Sequence, residues 1–201
     1  MKKLESTLPN MFLVLTAIAL ISAAGLGFTY AKTKPILDEL ARQRQIAAVA
    51  EVVPEFDNTP TEEAFTVQDF PDLELYPATR NGERVGTAVR SYSPNGYGGT
   101  ISVMVGFGPD GAITGSAVLH HAETPGLGAK MTEEPFKGQF VGMTPRDGDL
   151  AVAKDGGSVD AITAATISSR AYVDAINRAW HAVAAMERGA PTVPAGEASN
   201  E

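Results

Sequence analysis

The chain contains no cysteine among its 201 residues. That excludes disulfides, thiolate zinc sites and cysteine-ligated iron–sulfur clusters within it. Any redox chemistry must therefore come from an organic cofactor, although a cysteine-free domain is viable on either side of a membrane. Histidine is scarce, with three residues. His120 and His121 are adjacent and would face opposite sides of a strand, and neither has HExxH spacing to a partner. His181 falls in a helical stretch and reads as surface. Basic residues are outnumbered, 16 against 24 acidic, for a formal charge of −8 and a pI of about 4.9. With no basic run, this argues against nucleic acid as a partner. The 44% apolar content suffices for one ordinary domain plus appendages.

What is present begins with residues 11–31, a stretch free of charge. As a helix it spans roughly 30 Å, the thickness of a hydrocarbon core. Lys2 and Lys3 flank one end, Tyr30 and Lys32 the other. A cleaved signal peptide ending near Ser22-Ala23-Ala24 is the rival reading, but the apolar run is longer than a signal core. Charge alone does not orient the span, because Lys34, Arg42 and Arg44 follow it. Pro35 to Val53 reads as an amphipathic stalk helix starting at the proline, and 54–71 as a linker interrupted by Pro54 and Pro60.

Four strands are predicted next. Leu73–Thr79 and Arg84–Tyr92 flank Asn81-Gly82, a hairpin signal. Residues 101–107 alternate, turn at Pro109-Asp110-Gly111, and continue as 113–120. A short helix or turn region near 133–143 and a strand near 150–154 follow, with Asp155-Gly156-Gly157 turning the chain back. From Tyr172, apolar residues recur at Ile176, Ala179, Val183 and Met186, one helical face, and Gly189 stands where a left-handed C-terminal residue is wanted. The whole predicts an α+β domain, an antiparallel sheet with packed helices, after one N-terminal transmembrane helix. The expected divisions are 1–10 N-terminus, 11–31 span, 32–71 stalk and linker, 72–189 domain, and 190–201 disordered tail.

Three stretches carry candidate chemistry. Asn95-Gly96-Tyr97-Gly98-Gly99 lets backbone approach a flat ring, although its plain reading is a turn. Glu123-Thr124-Pro125-Gly126-Leu127-Gly128 is a tight loop whose backbone could read a polar ring edge, or a mere strand exit. Asp160-Ala-Ile-Thr163-Ala164-Ala165-Thr166 leads into a helix N-terminus, where free N–H groups and the macrodipole favour an anion. Its plain reading is an N-cap.

These stretches together resemble the FMN-binding domain shared by the G subunit of Rnf-type electron-transport complexes and the C subunit of sodium-pumping quinone reductases. Glu123–Gly128 and Asp160–Thr166 match its two motifs in order, except that Ala164 stands where glycine is usual. The resemblance implies FMN joined through its phosphate to Thr166, with Asp160, Thr163, Ala165, Glu123, Thr124, Gly126, Leu127, Gly128 and Tyr97 around it and His121 a weaker candidate. It implies a flavin transferase for maturation, other membrane and redox subunits as partners, and coupling of ferredoxin and NAD chemistry to ion translocation. It also implies a single-pass protein of the bacterial cell membrane, N-terminus inside and FMN domain outside. The compact length favours the Rnf branch over the quinone reductase; a flavin-free membrane-anchored binding module is the alternative from another class.

Overall fold

The computed structural model describes residues 7–195. The chain falls into two units, Met1–Arg44 and Gln45–Glu201. In the first, the described residues are helical from Leu8 on, part of α1 (Leu8–Val52). This helix is long and apolar enough to cross a membrane, and its large apolar side chains, among them Phe12, Leu20 and Phe28, are exposed. The stalk is not a separate helix beginning at Pro35: that residue lies inside α1, where its ring removes one donor from the backbone ladder. Lys2 and Lys3 lie outside the described residues.

The second unit holds the last two turns of α1 and an all-antiparallel sheet. Its strands are β1 (Phe65–Val67), β2 (Phe70–Arg80), β3 (Glu83–Ser93), β4 (Ile101–Phe107), β5 (Ile113–His120) and β6 (Thr192–Pro194), in the order β5-β4-β3-β2-β1-β6. Asn81 and Gly82 take positive φ, 54° and 80°, the conformation a two-residue hairpin turn between β2 and β3 demands. Period-two alternation sorts the strands into two faces. Leu73, Leu75, Val89, Ile101, Val103, Val105 and Phe107 point to one core; Tyr76, Ala78, Ala88 and Met104 point to the other.

On the first face lies the helix Thr166–Glu187, with Tyr172, Ile176, Ala179 and Val183 buried. It is called α3 below, since the short helix α2 (Glu134–Lys137) precedes it. Each large apolar side chain placed there contributes about 1.5–3 kcal/mol. The Tyr172 hydroxyl donates to Ser116 Oγ at 2.8 Å, and burial pushes its pKa up to about 12. Ser91 Oγ donates to the Ala175 carbonyl at 2.7 Å, tying β3 to the middle of the helix. The helix ends in a Schellman motif. Gly189 (φ 84°) donates to Met186 and Ala190 to Ala185. On the second face, Ala48, Val49 and Val52 of α1 close a smaller core. Gln45 and Glu74 both bond the Tyr76 hydroxyl there.

Three expectations are revised. The linker reading of 54–71 misses β1 and the start of β2. The strand near 150–154 is absent. Val152 makes one isolated parallel bridge to Val159, both buried, and residues 153–155 form a 3-10 turn. The tail from 190 begins ordered, because Thr192, Val193 and Pro194 pair with Val67, Thr66 and Phe65; residues 196–201 lie outside the described part. Between β5 and α3, α2 and its flanking 3-10 turns answer to the helix or turn region expected near 133–143.

Candidate functional site

Three chain segments converge at the start of α3. They are the glycine-rich turn between β3 and β4, the loop leaving β5, and the approach to α3. Between them lies a cleft of about 490 Å³ lined by Tyr97, Glu123, Thr124, Leu127, Gly128 and residues 164–168. That volume suits a ring-bearing small molecule. Tyr97 (73% exposed), Leu127 (42%) and Ile167 (50%) border it, three apolar side chains that folding leaves in water.

Thr166 is the first residue of α3. The residue before it, Ala165, caps the helix without any side-chain hydrogen bond, so the N-cap reading of the hydroxyl run is not what the structure adopts. The helix ladder starts with Ser169 N–H donating to the Ala165 carbonyl at 3.0 Å. The amides of Thr166, Ile167 and Ser168 precede it, at the positive end of the helix dipole. The three hydroxyls part company here. Ser169 Oγ is buried, donates to the Ala165 carbonyl and accepts from Ile162 N–H. Ser168 Oγ is buried and donates to Glu123 Oε2 at 2.7 Å. Thr166 Oγ1 stays accessible and accepts from Lys154 Nζ at 3.0 Å.

Ile167 is one site residue that the motifs did not name, and Lys154 is another. It reaches Thr166 because the 3-10 turn 153–155 is fixed to α3 by a fork. Arg170 Nε and Nη2 donate to the two Asp155 oxygens at 2.7 and 2.6 Å. The Arg170 hydrogen bond holds the Asp155 carboxyl below its ordinary range. The only signal in the sequence was a lysine beside the Asp-Gly-Gly turn, which says nothing about reach.

Glu123 lies under the cleft, 5% exposed. Its Oε1 accepts from Gly98 N–H at 3.0 Å and its Oε2 from Ser168, while its own N–H donates to His121 Nδ1 at 3.2 Å. One carboxylate thus ties all three segments together. Gly128 makes room for it, since a Cβ there would come within 2.6 Å of Glu123 Oε2 and 2.5 Å of Ser168 Oγ. The Glu123 loop is partly self-satisfied. Its Leu127 and Ala129 amides donate to the Thr124 carbonyl at 3.1 and 3.2 Å, so these two do not turn toward a ligand.

The motif residues divide. Thr166, Ala165, Glu123, Thr124, Leu127, Gly128 and Tyr97 line the cleft; Gly126 (φ 77°) shapes the loop without lining it. Asp160 and Thr163 instead border a separate depression of about 320 Å³ with Lys130 and Gln139. Gln139 clamps the Asp160 backbone from both sides, accepting from its N–H at 2.8 Å and donating to its carbonyl at 3.3 Å. Ala164, where the motif usually has glycine, adopts φ 62°, the left-handed region that glycine tolerates best. His120 is exposed, and His181 Nε2 sits 2.7 Å from Asp149 Oδ1 at the surface.

Known proteins bear on this geometry. The FMN-binding domain family matches residues 96–181. The G subunit of the ion-translocating oxidoreductase complex of Aliivibrio fischeri (strain MJ11) is 35% identical over 188 residues, 87% of this chain and 89% of its own length. The protein of the same name from Methanosarcina acetivorans is 37% identical over 182 residues, covering 89% of this chain and 95% of its own. Among solved structures, the C subunit of the Na(+)-translocating NADH-quinone reductase from Parabacteroides distasonis aligns with a TM-score of 0.47 and 23% identity, covering 58% of this chain and 61% of that one.

Proposed function

Because the chain belongs to the family of G subunits of ion-translocating oxidoreductase complexes, we propose that it is the membrane-anchored electron-transfer subunit of such a complex and holds FMN covalently on Thr166. The observation that carries this reading is the cleft itself, where one accessible hydroxyl stands at a helix N-terminus beside a lysine and three exposed apolar side chains. Bound there, FMN supplies reversible electron storage, which no side chain of this cysteine-free chain offers.

The residues fit that group. Thr166 Oγ1 is the ester oxygen. A phosphodiester carries one negative charge, which Lys154 Nζ and the free amides of α3 would neutralise. Tyr97, Leu127 and Ile167 are the apolar surface a flavin ring would cover, and Glu123 holds the three segments that form the walls. A shallow site suits a carrier, since a ring edge must approach another redox centre and no substrate has to be enclosed.

Attachment is assigned to a separate flavin transferase with FAD as donor. Thr166 Oγ1 would be the oxygen that takes up the FMN phosphoryl group, with AMP as the leaving group from FAD and the hydroxyl proton going to the transferase. The α1 span anchors the domain in the bacterial cell membrane with the N-terminus inside and the cleft on the periplasmic side. There, with the other membrane and redox subunits, it takes part in coupling ferredoxin and NAD chemistry to ion movement.

The test is Thr166→Ala co-expressed with the transferase. Wild type gains the mass of an FMN group and shows flavin fluorescence in a denaturing gel, and the variant shows neither. Covalent flavin retained in the variant refutes the attachment site. Wild type with no added mass leaves a flavin-free membrane-anchored module.

A further inference from the structure

We infer that Glu123 is an electrostatic control on the reduction potential of the group held in the cleft, an inference that rests on the FMN reading above. Its carboxylate is 5% exposed and forms part of the cleft wall. Its oxygens meet two neutral donors, the Gly98 amide and the Ser168 hydroxyl. Among the described residues no lysine, arginine or histidine forms an ion pair with it; the ten bridges run between other groups.

A purely mechanical clasp would not need that charge. Glutamine has the same length, offers an oxygen to Gly98 N–H, and avoids the desolvation that a buried carboxylate incurs. The room cut for this side chain is also particular. Added Cβ atoms at Gly96 and Gly128 would come within 2.7 and 2.6 Å of its two oxygens. The same Cβ atoms would come nearer still to the Gly99 carbonyl oxygen, at 2.2 Å, and to Ser168 Oγ, at 2.5 Å, so the two segments close tightly around a carboxylate that makes no ion pair among the described residues. In the low-dielectric wall of a cleft such a charge opposes every electron added to a neighbouring ring, so Glu123 keeps the potential low. It is a positioning residue for the loops and, through its charge, a setting on the electron carrier.

The experiment uses full-length protein matured with FMN in detergent, with the midpoint potential read by spectroelectrochemical titration. Glu123→Gln keeps the shape and removes the charge, so the midpoint moves to more positive values; an unchanged or more negative midpoint overturns the inference. Ser168→Ala removes a donor and leaves the carboxylate less compensated, so its midpoint moves to more negative values. A rise or no change in that variant also overturns it, and this arm decides alone where Glu123→Gln does not mature. Failure of the FMN reading is seen separately, as wild-type protein whose intact mass equals that of its amino acids, and it takes this inference with it.

Discussion

Replacing Ala164 by glycine should make the protein more stable. Ala164 is one of two non-glycine residues with positive φ among the described residues, at 62°, and it is solvent-exposed, so its methyl group contributes no packing to offset the conformation. An L-residue in the left-handed region costs about 1–2 kcal/mol. Glycine removes that strain but adds freedom to the unfolded chain, which costs about 0.4–1 kcal/mol. The difference lies between roughly 0 and 1.6 kcal/mol, centred on about 0.8 kcal/mol, in favour of Ala164→Gly. For a unit of this size, that is a rise in Tm on the order of 1–4 °C. Thermal unfolding of the full-length protein in detergent, monitored by circular dichroism, measures it. Ala164→Val, whose branched side chain tolerates positive φ worse, should fall below wild type. Asn81 (φ 54°) needs no such relief, since asparagine enters this region readily. If Ala164→Gly unfolds at the same temperature as wild type or lower, the turn before Thr166 is not strained and the argument fails.

Two other outcomes follow from the packing. Gly128→Ala pushes a methyl group against Glu123 and Ser168, and should lower stability by about 1–3 kcal/mol, read as a shift in urea midpoint at unchanged m-value. The Asp155–Arg170 fork gives a pH signature. Because the folded carboxyl titrates below its ordinary value, its contribution is complete above the usual carboxylate range and disappears as pH falls through the lowered value. The Tm difference between wild type and Arg170→Gln should therefore be largest near neutrality and close on acidification; a gap that widens toward acid contradicts the assignment.

The long strands and α3 were legible because their burial is periodic and local. Ile101, Val103, Val105 and Phe107 alternate into one core, Asn81-Gly82 announces its turn, and the Tyr172–Val183 face repeats at helical spacing. The edge strands were not. Thr66 pairs with Val193, a contact between two three-residue segments far apart in the chain, each inside a composition that reads as irregular. The stretch 150–154 reads as a strand from its apolar residues, although Val152 makes only one isolated bridge, to Val159. At the site, the motif stretches marked the cleft, but Lys154 meets Thr166 only through a turn fixed by Arg170. Asp160 and Thr163, close to Thr166 in the motif, open onto different ground because Gln139 clamps the backbone there.

The unequal fates of the hydroxyls at the start of α3 have a consequence for selectivity. In an unfolded chain Thr166, Ser168 and Ser169 are near-equivalent alcohols that a modifying reagent could hardly tell apart. Once the helix docks, Ser168 and Ser169 retain 2% and 0% of their exposure, and the first turn presents a single alcohol to anything outside. Folding thus performs a discrimination by itself, and a reagent that reads nothing but exposure would find only Thr166 in that turn.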